Sequence, residues 1–212
     1  MKKYLPYLRN RAYMESLVVS LLMFAISLAA NFYSGLYATE KASNSVTDII
    51  LNNIPVFNVQ FLFIYGSVLF WIVVVFIIVL KPRTIPFTLK TLALFILIRS
   101  VFVSLTHIGP FPEHAFIPPG NIIKDFSAGG DLFFSGHTGL PFLLALIFWD
   151  VQKLRVAFVL SSILFGVVVL LGHLHYSIDV LAAFFITYTI HDMAEFLFPH
   201  DRVVFRKGII SA

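Results

Sequence analysis

The chain contains no cysteine. That excludes disulfides, thiolate metal clusters and cysteine nucleophiles, and leaves the redox compartment unreadable. Charge is scarce as well: 12% of the 212 residues are Asp, Glu, Lys or Arg, against 59% apolar. Such a balance lies outside the range of soluble globular domains. Gly/Ser-rich linkers, long charge runs, low-complexity segments and convincing internal repeats are also missing, so a single membrane domain over residues 1–212 is the simplest organisation.

What the sequence does have is long apolar runs. A bilayer span needs roughly 20 mostly apolar residues at 1.5 Å rise each. Six such stretches occur, at approximately 13–33, 60–80, 88–106, 133–149, 156–173 and 178–198. They predict an all-α polytopic membrane protein with six transmembrane helices in one bundle. The opening MKKYLPYLRNR has the flavour of a signal peptide, but the run behind it is long for one and reads as a span.

The net formal charge of +4 raises the question of a nucleic-acid partner, and the positions of the basic residues answer it. Lys2, Lys3, Arg9 and Arg11 precede the first span. Lys81, Arg83 and Lys90 fill the second connection, Lys153 and Arg155 the fourth, and Arg202, Arg206 and Lys207 follow the sixth. Under the positive-inside rule these lie on the cytoplasmic side, with both termini. Only Lys41, Arg99 and Lys124 remain, and the outer loops also carry Glu40, Asp48, Glu113, Asp125 and Asp131. The excess reports topology, so no nucleic-acid role is expected.

Three polar features then fall at the outer face: SGHTG at the start of the fourth span, HLHYSID between the fifth and sixth, and Arg99 in the outer half of the third. An ionisable group at the membrane is a functional hypothesis by default, because burial in lipid is costly unless the group is paired or wet. His175 and Asp179 are four residues apart, which on a helix puts them on one face. The carboxylate then fixes the imidazole tautomer and frees Nε2 as nucleophile or base; the bland reading is a polar helix mouth. His173, two residues from His175, cannot share that face.

Ser135 is a predicted N-cap for a helix whose N–H groups and dipole suit an anion, with His137 beside it. Taken alone, SGHT also fits an ordinary capped helix start. Arg99 requires a negative partner, which a phosphate, Asp131 or Asp179 would supply, or it snorkels as a structural residue. Two long outer loops, roughly 34–59 and 107–132, have lid-like length. Elsewhere His191, Asp192 and Glu195 sit near the inner end of the last span, and His107 and His114 lie in the second outer loop; none is assigned to the site.

GGDLFFSGHTG, followed about forty residues later by GHLHYSIDVLAAFFIT, closely resembles the paired signatures of sphingomyelin synthases and related enzymes. These are a branch of the type 2 phosphatidic acid phosphatase superfamily. RSVFVSLTHIGPFP is a weaker third match, so the resemblance runs from about Arg99 to the end of the sixth span, residues 99–198. It implies a six-helix bundle with its active site at the non-cytoplasmic face and a catalytic triad on His137, His175 and Asp179. In that scheme His175 attacks phosphorus to form a phosphohistidine, Asp179 orients it, and His137 protonates the departing alkoxide and later deprotonates the acceptor hydroxyl. Arg99, Asp131, Ser135, Gly136, Thr138 and Tyr176 are the expected substrate-binding residues.

The resemblance implies no metal or organic cofactor. Its partners are a phospholipid donor and a lipid-alcohol acceptor, or water. The Lys-x6-Arg-Pro and Ser-Arg-His elements of the other phosphatases in the superfamily are absent, since Lys90 and Arg99 are wrongly spaced and Ser100 follows Arg99. Gly129 stands where a cysteine is common. The expected activity is transfer of a phospho-alcohol head group to a lipid hydroxyl. The alternatives are a lipid phosphate phosphatase, a non-catalytic lipid-binding or flipping protein, and a metal-dependent hydrolase using His173 and His175 as ligands.

Overall fold

In the computed structural model, residues 3–116 and 132–209 are described. They are helical, with no strand among them. The elements in chain order are α1 (Leu5–Arg9), α2 (Arg11–Glu40), α3 (Ser67–Val79), α4 (Ile85–Leu105), α5 (Gly136–Ile147), α6 (Gln152–Leu171), α7 (Ser177–Leu197) and α8 (Pro199–Lys207). A single π turn, Leu62–Gly66, leads into α3, and a 3-10 turn, Pro82–Thr84, leads into α4.

Among the described residues five helices are long and apolar enough to cross a bilayer: Arg11–Glu40, Leu62–Val79, Pro82–Leu105, Gln152–Leu171 and Ser177–Leu197. They mark an integral membrane protein. The expected fourth span, 133–149, is instead the 12-residue α5. Phe133 and Phe134, counted as span, belong to the non-helical approach to the Ser135 cap, and the helix stops at Phe148 before Trp149 and Asp150. At 1.5 Å per residue it rises about 18 Å, short of a roughly 30 Å hydrocarbon slab. Enclosure makes this tolerable: Thr138, Gly139, Pro141 and the run Leu143 to Ile147 are buried, so α5 meets protein where the long helices meet lipid.

The longest helix, α2, shows how a chain without a soluble core chooses its inner face. Its buried positions include Tyr13, Ser20, Ser27 and Ser34, seven residues apart, while its leucines, isoleucines and phenylalanines mostly face outward. Small residues let two backbones approach closely where apolar side chains gain nothing over lipid, and α2 packs along α4. The buried hydroxyls are satisfied within the helix: Ser20 donates to the Leu17 carbonyl at 2.8 Å, Ser27 to Phe24 at 2.7 Å and Ser34 to Asn31 at 3.0 Å.

At the end of the bundle away from the motifs, Lys90 corrects the reading of it as a connection residue. It lies inside α4 and is buried. Its Nζ sits 2.6 Å from Asp201 Oδ2 and donates to Ser16 Oγ at 2.9 Å, and Ser16 donates to Asp201 Oδ1 at 2.5 Å. Next to Asp201, Arg202 Nη1 donates to the Ile147 carbonyl at 3.0 Å. Helix α8 thus closes this end by tying α2, α4 and α5 together.

Candidate active site

The two motifs meet through the backbone. Ser135 N–H donates to the Asp179 carbonyl at 3.1 Å, joining the cap of α5 to the first turn of α7. The Ser135 hydroxyl accepts from Thr138 N–H at 3.3 Å, the N-cap the sequence predicts. Pro141, four residues after His137, has no N–H to donate to the His137 carbonyl, so the first turn of α5 leans on its neighbours. Ser162 Oγ of α6 donates to the Thr138 carbonyl at 2.7 Å. Gly139 lies so close to α4 and α7 that a Cβ there would sit 2.7 Å from Phe95 and 2.9 Å from Thr187 Oγ1.

His137 and His175 face each other with ring centroids 6.4 Å apart. His175 precedes the helix, a correction to the expected geometry. Tyr176 is the N-cap of α7, and its N–H donates to Asp179 Oδ2 at 2.9 Å. The carboxylate that caps the helix also lies 3.5 Å from His175 Nδ1, so the pairing expected from a shared helix face is reached from a residue outside the helix. Asp179 is fully buried, and its Oδ1 and the His175 Nδ1 have no hydrogen-bond partner.

Arg99 enters from α4. Its Nε donates to the Phe134 carbonyl at 2.8 Å and its Nη1 to Asn31 Oδ1 of α2 at 3.3 Å. A Cβ on Gly136 would lie 3.4 Å from Arg99 Nε, so the absence of a side chain at Gly136 lets the first turn of α5 sit against the guanidinium. A cation and a helix N-terminus together present a place for a phosphate. Asp131, one of the expected partners of Arg99, lies outside the described residues.

Of the other expected substrate contacts, Ser135 and Thr138 are fully buried and serve the cap of α5. The Tyr176 hydroxyl donates to the Gly109 carbonyl at 2.8 Å and accepts from Val46 N–H at 3.2 Å. Burial first, then the charges of Asp179 and Asp48, raise the pKa of this phenol against the opposing Val46 bond, which keeps it a donor. His173 is held elsewhere by the turn before the helix: its Nδ1 meets the Glu113 carbonyl at 2.9 Å, at a φ of 51°.

Three residues of this end went unread in the sequence. Asn31 was detectable as a lone amide in an apolar span. Asp48, in the first outer loop, accepts from Ser177 N at 2.7 Å, Ser177 Oγ at 2.8 Å, Ile50 N at 2.8 Å and Leu51 N at 3.1 Å. Burial opposes its ionisation, but these bonds outweigh burial and hold the carboxyl below the usual range. Phe63 stacks on His137, centroids 4.4 Å apart at 34°, and nothing in the sequence separates it from the other phenylalanines. Among the described residues no cluster of three or more metal-ligating side chains forms.

Two imidazoles, a buried carboxylate and a guanidinium are gathered at one end of the helical bundle, the kinds of group that serve phosphoryl chemistry. Residues 129–196 match the family described as PAP2 superfamily C-terminal, a stretch that contains His137, His175 and Asp179. The match supports the type 2 phosphatidic acid phosphatase superfamily, and with it an enzyme of the phosphatase and phosphotransferase class acting on lipids. No curated protein and no solved structure matches the chain.

Proposed function

We propose that the protein is a sphingomyelin synthase-like phosphotransferase, moving a phospho-alcohol head group from a glycerophospholipid to a lipid hydroxyl such as that of a ceramide. The observation that carries this reading is the approach of His175 to Asp179 at 3.5 Å with His137 across from it at 6.4 Å. The protein is one six-helix domain, 1–212, with α5 as the short fourth member. Both termini are cytoplasmic, as the basic connections require, and the site opens on the other face.

His175 Nε2 attacks phosphorus, and the bond from phosphorus to the diacylglycerol oxygen breaks. His137 gives its proton to that oxygen, and diacylglycerol leaves. Asp179 steadies the charge that builds on His175. Arg99 and the Gly136 N–H hold the phosphoryl oxygens, with Ser135 and Thr138 fixing the turn. Tyr176 acts by holding the outer loops on the nucleophile's helix. In the second half the acceptor hydroxyl passes its proton to His137, its oxygen bonds to phosphorus, and the bond from phosphorus to Nε2 breaks.

Water as second acceptor turns the same steps into hydrolysis. The test is purified protein given head-group-labelled phospholipid with and without a lipid alcohol. Labelled product lipid that depends on the alcohol is expected. Free head-group phosphate as sole product rejects transfer, and full turnover in His175→Ala rejects the nucleophile.

A further inference from the structure

The site has two unlike sides. Arg99, Asn31 and the cap of α5 form a polar side. The other is an apolar cluster containing Val59, Phe63, Ile64, Ala115, Val168 and Val169, which meets the site through Phe63. Phe63 is its member on the catalytic imidazole. It is 5% exposed and its ring lies against that of His137, centroids 4.4 Å apart and tilted by 34°, with Phe165 of α6 at 6.4 Å from the same ring.

The backbone holds Phe63 in a particular way. It lies in the π turn Leu62–Gly66, and such single turns alter the angular bearing of the side chains they carry. The Phe63 carbonyl is taken by the Ser67 hydroxyl at 2.6 Å, and its N–H donates to Val59 at 2.8 Å. An apolar ring fixed over one face of an imidazole denies that face to water, and leaves approach to lipid chains and to the polar side.

We propose that Phe63 is a specificity-determining residue that shields His137 from water and so commits the phosphohistidine to a lipid hydroxyl. This rests on the reading of the site as a head-group transferase. At the branch point the bond from His175 Nε2 to phosphorus breaks in either case. With a lipid alcohol, the alcohol oxygen bonds to phosphorus and its proton goes to His137, giving a new phospholipid. With water, the water oxygen bonds to phosphorus and one of its protons goes to His137, giving a free head-group phosphate. The acceptor that reaches His137 decides which.

The experiment uses the full chain in nanodiscs of phosphatidylcholine containing ceramide, with product lipid and released phosphocholine measured together. Wild type is expected to favour transfer. Phe63→Ala is expected to lower the transfer-to-hydrolysis ratio about tenfold while donor consumption changes less, and Phe63→Leu to shift the ratio in the same direction by a smaller factor. An unchanged ratio in Phe63→Ala overturns the proposal, as does wild type releasing phosphocholine alone. If the alanine variant does not yield monodisperse protein, an unchanged ratio in Phe63→Leu overturns it equally. Equal product from wild type and His175→Ala removes the transferase reading itself, and this proposal with it, whatever the Phe63 variants do.

Discussion

Ser135 and Asp179 are joined by a backbone hydrogen bond of 3.1 Å, 44 residues apart in sequence and each inside one of the two motifs. The bond needs neither side chain. It places His137, two residues beyond Ser135, and His175, four before Asp179, within reach of one another before any substrate arrives. Catalysis by positioned groups draws its advantage from such prior placement.

Asp179→Asn keeps the size of the side chain and removes its charge. The amide still offers an oxygen to Tyr176 N–H, but it no longer steadies a positive His175. Turnover of labelled phospholipid is expected to fall roughly 10²–10⁴-fold, with the unfolding temperature in detergent little changed. Loss of folding without selective loss of turnover would assign Asp179 to the helix cap alone.

Gly139→Ala tests the packing that seats α5. The added methyl meets Phe95 at 2.7 Å, closer than carbon atoms pack, and both α4 and α7 must yield. A destabilisation of about 1–3 kcal/mol is expected, measured by thermal unfolding of the purified protein, with reduced turnover because His137 shares the helix. A variant as stable as wild type contradicts the close approach.

Asp48 gives a pH signature. Its folded pKa lies below the ordinary carboxylate value, so the stability it contributes is present above about pH 4. That contribution is lost as pH falls from there through the depressed folded value. The unfolding temperature of wild type minus that of Asp48→Asn is therefore expected to be positive near neutrality and to shrink on acidification below about pH 4. A difference that does not vary with pH argues against an ionised Asp48.

Lys90 and Asp201 form a buried pair at 2.6 Å. Removing one partner strands the other charge, so Lys90→Met is expected to cost about 3–5 kcal/mol. Adding Asp201→Asn to Lys90→Met should restore part of the loss. Additive losses in the double variant, measured by the same unfolding assay, would show that the two groups act separately.

The catalytic candidates were legible because polar residues are few in this chain, and each of His137, His175, Asp179 and Arg99 demands a reason for being in or beside an apolar run. The local geometry was less so. Spacing alone put His175 on the last helix, whereas Asp179 spends one oxygen capping Tyr176 and the histidine remains outside. Hydropathy began the fourth span at Phe133 and Phe134 because it does not distinguish an apolar strap from an apolar helix. Lys90 read as a surface charge because its partner lies 111 residues away. Asp48 and Phe63 owe their places to contacts with distant segments, and neither neighbours a motif in sequence.

The shortness of α5 also sets the depth of the chemistry. Its lower end adjoins Trp149, over which Arg155 stacks at 4.9 Å, and Asp150, which meets Arg206 at 3.5 Å, the kind of residues that gather at a headgroup boundary. A rise of about 18 Å from there leaves His137 roughly 12 Å beneath the opposite boundary of a 30 Å slab. A phospholipid resting at its ordinary height does not touch such a residue. On the proposed function its phosphate has to descend below that boundary to meet His137, so the work of catalysis begins with drawing a charged head group downward.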